Sequence, residues 1–448
     1  MKMNTHSLAE VVQPRRKKVS PSDYPDLPYV GLEHIEAHTM RLLGTVPAKE
    51  MKSSANRFEC GDVLYSRLRP YLNKVWRADR EGLCSAEFIV IPGNEKIDPD
   101  FLRYRLNAND FVSFASGLNA GDRPRVDFDQ ISVFKTQLPE ALSVQREIVS
   151  EIEKQFTRLD AGVSALRRVQ ANLKRYRAAV LKAACEGKLV PTEAELAKKE
   201  RRKYETGSEL LQRILVKRRQ KWHGRGKYKE PSSSDVANFS SLPEGWTYAT
   251  VEQLSIMVQY GSSAKTNEDP TGVPVLRMGN IQQGKFDFDS LKYLPKKHDE
   301  FPDLLLKNGD LVFNRTNSAE LVGKTAVFKG NPNPCSFASY LIRARLAEEC
   351  PPDYVCYFIN SIYGRAWIKS VVNQQVGQAN VNGTKLQALA VPLPPLIEQK
   401  RIVEEVDRRL SVIDEMEMMV TANLQRATRF RQAILKMAFD AKLVPSLH

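Results

Sequence analysis

The sequence predicts an α+β protein. Two mixed α/β globular domains alternate with two long helices, which pack as an antiparallel coiled coil with pseudo-twofold symmetry. Three observations predict it. Residues 145–191 (QREIVSEIEK…YRAAVLKAACEGKLVP) return at 399–445 (QKRIVEEVDR…FRQAILKMAFDAKLVP), at a constant offset of 254 and without a gap. A long-period repeat of this kind fixes the architecture before any local reading. Within these blocks apolar residues recur three or four apart, the period of a left-handed helical seam. Outside them the repeat continues more loosely. Gly61-Asp62-Val63-Leu64-Tyr65-Ser66-Arg67 matches Gly309-Asp310-Leu311-Val312-Phe313-Asn314-Arg315, Cys84-Ser85 matches Cys335-Ser336, and Pro99-Asp100…Tyr104…Asn107 matches Pro352-Asp353…Tyr357…Asn360. The offset there drifts from 248 to 253, so the globular copies differ by small loop insertions.

The order that follows is a first globular domain (1–142), a long helix (143–190), a basic linker with its own helix (191–241), a second globular domain (242–395) and a second long helix (396–448). In the globular parts, Phe88-Ile89-Val90-Ile91 and Tyr340-Leu341-Ile342-Arg343 have strand composition. The two Gly-Asp pairs are turn formers at strand openings. Helical spacing runs from Phe101 to Phe114 and from Tyr354 to Val371. Each long helix starts after a proline-bearing stop, Leu138-Pro139 in one copy and Pro392-Leu393-Pro394-Pro395 in the other. Proline lacks the amide donor and turns the preceding residue away from helix. The expected seam is Ile148, Ile152, Phe156, Leu159, Val163, Leu166, Leu173, Tyr176 and Val180 in one block. In the other it is Ile402, Val406, Leu410, Ile413, Val420, Ala427, Phe430, Ile434 and Met437. Each helix is a rod of roughly 65–70 Å at ~1.5 Å per residue. Antiparallel pairing is expected over parallel, which would need the long linker as a return connection. The linker helix spans 208–222, with Leu211, Ile214 and Leu215 on one face, and Ser232-Ser233-Ser234 follows as a flexible stretch.

Composition bounds the function. With 42% hydrophobic and 27% charged residues among 448, the chain is expected to be soluble and cytoplasmic, with no signal core and no apolar run near ~18 residues. Six cysteines without a CxxC pair suit a reducing compartment. A net charge of +14 points to nucleic acid or another polyanion. Part of that charge lies in the linker at 198–229, where it also fits a solvated helix face. No GxGxxG, GxxxxGK[ST] or [DN]PP[YF] motif is present, so no glycine-rich phosphate cradle or amino-methyltransferase loop can be assigned. Pro25-Asp26 with Glu50 and Lys52 is too short a match to argue a nuclease, and His34 with His38 lacks a third ligand.

Several phrases carry a family resemblance over essentially the whole chain. VPLPPLIEQKRIVEEVDRRLSVIDE (391–415), LPEGW (242–246), ELLQRILVKRRQKW…KYKEP (209–231) and the paired KLVP ends resemble the specificity subunit of type I restriction–modification systems. The first half departs from the pattern, opening on QPRRKKVSPSDYPDLPYVGLEHIE (13–36) where LPEGW would stand, which puts its leading strands in question. The resemblance implies two target-recognition domains, each reading one half of a split, asymmetric double-stranded DNA site. It implies that the two helices act as a ruler and as the dock for two methyltransferase subunits. Those partners would carry S-adenosylmethionine, and motor–nuclease subunits would use ATP and Mg²⁺, leaving this chain without catalysis or cofactor. The alternatives are the specificity subunit of a related system cutting on both sides of its site, and a coiled-coil scaffold with no DNA role.

Arginine on guanine and asparagine or glutamine on adenine are the common direct readouts, while most cations contact phosphate. In the first domain the candidates are Arg67, Arg69 and Lys74 on one loop and Arg123 and Arg125 on another, with an Arg123–Asp127 salt bridge as the plain alternative. In the second they are Arg277 and Asn280, Arg315, Lys324, and Gln378 and Asn380 from an amide-rich loop that also holds Gln374, Gln375 and Asn382. Gln145, Glu151, Gln399 and Glu405 are the candidates for the methyltransferase-facing surface, with plain solvent exposure as the alternative.

Overall fold

The computed structural model describes residues 3–222, 226–233, 241–375, 378–440 and 442–443. Ser234, Val444, Pro445 and the side chains of Gln374 and Gln375 lie outside them. The chain divides into two compact units, Met1–Val169 with Met419–His448, and Gln170–Met418. Each unit therefore holds one globular domain together with a part of both long helices. Those helices run Leu142–Cys185 and Leu396–Phe439.

In the first unit a five-stranded sheet orders Lys18–Val19, Ala55–Phe58, Gly82–Ser85, Pro28–Val30 and Val46–Pro47. A three-stranded sheet places Val63–Ser66 between Val75–Arg77 and Phe88–Ile91. The leading strand in question is supplied by Met3–Ser7, which pairs antiparallel with Lys135–Pro139. The second unit solves the same problem with Thr247–Thr250 against Ala390–Leu393, directly after LPEGW. In both, a short capped helix follows: Glu10 accepts the Ser7 N–H at 2.8 Å, and Gln253 accepts the Thr250 N–H at 2.9 Å. The core of this unit joins Phe101 and Phe111 to Ile148, Ile152 and Phe156 of one long helix and Leu435 and Phe439 of the other. Phe101 meets Phe439 edge-on at 5.3 Å. Each such side chain contributes about 1.5–3 kcal/mol by leaving water.

In the second unit a four-stranded sheet orders Ser255–Tyr260, Leu341–Leu346, Leu311–Asn314 and Thr325–Val327. Val273–Leu276 lies between Lys292–Leu294 and Ser336–Phe337 in a second sheet. The linker forms two capped helices, Glu193–Glu200 and Gly207–Gln220. The second docks on this domain so closely that a Cβ at Gly207 would stand 2.1 Å from the Leu393 carbonyl oxygen, which explains the glycine. Its basic residues are largely spent on that docking. Lys217 and Arg213 pair with Glu349, and Arg218 donates to the Glu252 carbonyl. This part of the charge belongs to the domain rather than to a free polyanion-binding arm.

The Gly-Asp pairs are the same turn twice. Gly61 and Gly309 have φ of 92° and 89°, a region open to glycine at little cost. Their N–H groups donate to Ala78 and Phe328, and the buried carboxylates of Asp62 and Asp310 accept the N–H groups of Glu59 and Lys307. The helical seam departs from the expected positions in one respect. Ile148, Ile152, Phe156, Val180, Ile402, Val406 and Ile413 are buried, but Tyr176, Phe430 and Met437 face solvent. Leu181, Ala184, Leu435 and Ala438 are buried in their place. An α-helix drifts by ~20° per heptad against a strict seven-residue repeat, so a stripe drawn at period 3.5 slides off the contact face. In the second unit the helices run antiparallel, since Arg177 meets Asp414 while Leu181 lies by Leu410.

Candidate nucleic-acid interface

In the first unit the two basic loops are zipped together. The Arg67 N–H donates to Glu87, the Arg67 carbonyl accepts from Val126, and the Arg69 N–H donates to Pro124. Leu68 and Arg125 form an antiparallel bridge. Arg69 and Asn73 adopt left-handed conformations with φ of 52° and 45°, uncommon for residues with a Cβ and typical of shaped functional loops. Asn73 is buried and holds the turn by donating to the Asn107 carbonyl at 3.1 Å. Among the described residues Arg67, Arg69 and the exposed Arg123 have no carboxylate partner. The Arg123–Asp127 bridge is not formed; Asp127 instead caps the helix Phe128–Ser132. Arg125 is paired with Glu87 at 2.8 Å, and the Lys74 ammonium is tied to the Leu32 carbonyl at 2.6 Å.

The second unit builds the same frame. The Arg315 N–H donates to Tyr340 and its carbonyl accepts from Val381. Thr316 pairs with Asn380 and Asn317 with Ala379. Asn314 donates to the Lys324 carbonyl as Ser66 does to Lys74. Arg67 and Arg315 therefore hold one position, and Lys74 and Lys324 another. Arg123 and Arg125 of the first unit are replaced by Gln378 and Asn380, and Glu87 by Tyr340. The frame is shared while the side chains on it differ in charge and hydrogen-bonding pattern.

Around that frame, the Arg315 guanidinium lies 4.9 Å over the Tyr260 ring and reaches the Ser339 carbonyl at 3.4 Å. Gln378 is exposed, and Asn380 donates to the Thr316 hydroxyl at 2.7 Å. Lys324 reaches Gln282 at 3.2 Å. Arg277 donates to the Ser290 carbonyl at 2.8 Å and stays partly exposed. Asn280 is a correction. It is buried, its oxygen accepts the Arg277 N–H, and its amide donates to the Asp287 and Asp289 carbonyls. No edge of it is left for a base.

The helix candidates also sort by burial. Gln145 and Gln399 are fully buried, which corrects their assignment to a partner-facing surface. Gln145 donates to Lys96 and Pro139 carbonyls and accepts from Asp98, while Gln399 donates to the Pro394 carbonyl at 2.8 Å. Glu151 and Glu405 are partly exposed and paired along their own helices, Glu151 with Lys154 and Gln155, Glu405 with Arg408 and Arg409. The Arg408 and Arg409 donors hold the Glu405 carboxyl down at about 2. Nothing in the sequence motifs marks Tyr260, Tyr340, Glu87 or Glu398. Glu398 is buried, accepting the Glu193 N–H at 2.8 Å and the Trp246 indole N–H at 3.0 Å, and so ties linker, LPEGW opener and helix start together. Burial pushes its carboxyl up.

Each unit carries one glycine-turned basic frame on a mixed α/β domain, and the two frames repeat one backbone geometry. Residues 243–418 match the family model of the type I restriction modification DNA specificity domain. With that match, the resemblance of the chain to type I specificity subunits is shown. Over 345 residues it is 26% identical to the type I restriction enzyme EcoKI specificity subunit of Escherichia coli (strain K12), covering 77% of this chain and 64% of that one. Over 214 residues it is 27% identical to the putative MjaX specificity subunit of Methanocaldococcus jannaschii, covering 47% and 49%. The chain thus spans between about half and just under two thirds of the length of these relatives. Its fold matches a chain in a solved structure on complex assembly and conformational transition of the type I R-M system, with TM-score 0.68, 19% identity, and 98% and 97% coverage.

Proposed function

We propose that this chain is the non-catalytic sequence-recognition subunit of a type I restriction–modification complex. Each globular domain reads one half of a split, asymmetric DNA site. The two long helices set the gap between halves and carry two methyltransferase subunits, which bind S-adenosylmethionine and methylate adenine at N6. Motor–nuclease subunits with ATP and Mg²⁺ complete the complex. The observation that carries this reading is the pair of matched frames holding Arg67 and Arg315 at one backbone position and different neighbours at the next: Arg123 and Arg125 against Gln378 and Asn380. Two readers of one geometry and unlike side chains suit a site whose halves differ. Unpaired cations such as Arg67, Arg69 and Arg123 supply the phosphate attraction that any such reader needs.

A genome-wide map of N6-methyladenine tests it. One strain carries this chain with its neighbouring methyltransferase, and the control lacks this chain alone. A split motif with a fixed gap, present only with the chain, is expected. An identical map in both strains, with a demonstrably active methyltransferase, contradicts the proposal and leaves the scaffold reading.

A further inference from the structure

We infer that Tyr260 is a positioning residue that fixes Arg315 as a base reader, rather than a phosphate contact, in the second domain; this rests on the DNA-reading function proposed above. Tyr260 ends the edge strand Ser255–Tyr260, opposite Ile342. Its hydroxyl accepts the Gly383 N–H at 2.7 Å, and a Cβ at Gly383 would stand 3.0 Å from that oxygen. The ring is thereby fixed at both ends while one face stays half-exposed. Arg315 lies over that ring at 4.9 Å, and its backbone is held by Tyr340 and Val381. Its Nε is buried without a partner, and among the described residues no carboxylate pairs with its guanidinium. Apart from one long Nη1 contact to the Ser339 carbonyl at 3.4 Å, what remains is a planar fork with donors unspent, mounted on an aromatic plane, with its backbone bonded to the exposed Tyr340.

Phosphate binding needs a cation in roughly the right place; a bidentate contact to guanine needs the fork in one orientation. A stacked guanidinium has lost its rotational freedom before binding, so the orientation is set in advance. The first domain lacks this support. The bridge of Arg15 to Val90 corresponds to the pairing of Gln259 with Arg343, which puts the exposed Arg16 where Tyr260 stands. Among the described residues no aromatic ring stacks on Arg67, so the stack is a property of the second reader.

The test uses the full complex with its methyltransferase and measures binding to the wild-type site and to a panel of single-base variants in each half. Tyr260→Leu is expected to lower discrimination at one base of one half-site by about 2- to 30-fold, the range of an aromatic–cation contact. The other half-site and the gap should keep their selectivity. Arg315→Lys keeps the charge and removes the fork, and should lose discrimination at that same base by roughly 5- to 150-fold. This second variant guards against misfolding of the first, because it leaves the strand end and the Gly383 contact intact. If Arg315→Lys keeps full discrimination, or if either variant weakens every sequence equally with a shallower salt dependence, Arg315 is a phosphate contact and the inference is overturned. Wild-type complex that shows no sequence preference at all would instead remove the function proposed above.

Discussion

Arg177 of one long helix grips Asp414 of the other, donating to its Oδ1 at 2.5 Å and to Glu417 at 3.2 Å. The same pair recurs within the other unit with donor and acceptor helices exchanged, as Arg431 to Asp160. Both residues of each pair are 254 positions from their counterparts, so the duplication preserved the contact as well as the helices.

The clamp should be strongest at Asp414, which also receives the Lys285 ammonium from the recognition domain. Burial pushes the Asp414 carboxyl up, but the Lys285 and Arg177 donors outweigh it and hold it below the usual carboxylate range. A carboxyl depressed in the folded state adds stability that is complete above its unfolded value, about 3.9, and is lost as pH falls through the folded value. Asp414→Asn should cost about 1–2 kcal/mol at neutral pH. In denaturant unfolding, the gap between wild type and variant should close only as pH drops below about 4. A gap independent of pH would contradict the charge-based account.

Gln145→Ala removes a buried amide that satisfies three backbone groups at the helix entry. Leaving those groups unpaired should cost about 2–3 kcal/mol, read as a lower Tm. An unchanged Tm with weakened methyltransferase docking would instead place Gln145 on the partner surface.

Glu398→Gln keeps one acceptor oxygen and turns the other into an amide donor, so one of two donating groups, Glu193 N–H or Trp246 Nε1–H, loses its acceptor. The expected cost is about 1–3 kcal/mol. Trp246 is buried beside it, so its fluorescence should shift to the red before global unfolding. Emission unchanged from wild type would mean the contact does not hold the opener.

Glu87 neutralises Arg125 in the middle of the first basic frame, where the second domain has Tyr340. Glu87→Gln should free a cation and raise affinity for double-stranded DNA by about 2- to 5-fold at low salt, with a steeper salt dependence. Weaker binding would show that the pair shapes the loop for DNA rather than screening it.

Much of this was legible because it is local. The repeat, the proline stops and the Gly-Asp turns are written in adjacent residues, and Arg67 and Arg315 sit beside such a turn. Tyr260 and Tyr340 were not legible, because strand pairing brings them to Arg315 from 55 and 25 positions away. Gln145, Gln399 and Asn280 mislead for a related reason. A polar side chain in sequence does not reveal whether a buried backbone needs it, and each of these three is spent on a carbonyl or amide of its own domain. A period slightly too short for a straight helix puts Tyr176 and Phe430 on the seam.

In the function proposed above, one frame, used twice, reads two different half-sites. The most direct measurement is the N6-methyladenine map of strains carrying Arg67→Ala or Arg315→Ala in the full complex. The account predicts that Arg67→Ala relaxes or abolishes selection in one half of the motif, Arg315→Ala does so in the other, and the gap is unchanged in both. If both variants alter the same half, or neither alters the motif, the two frames are not separate readers.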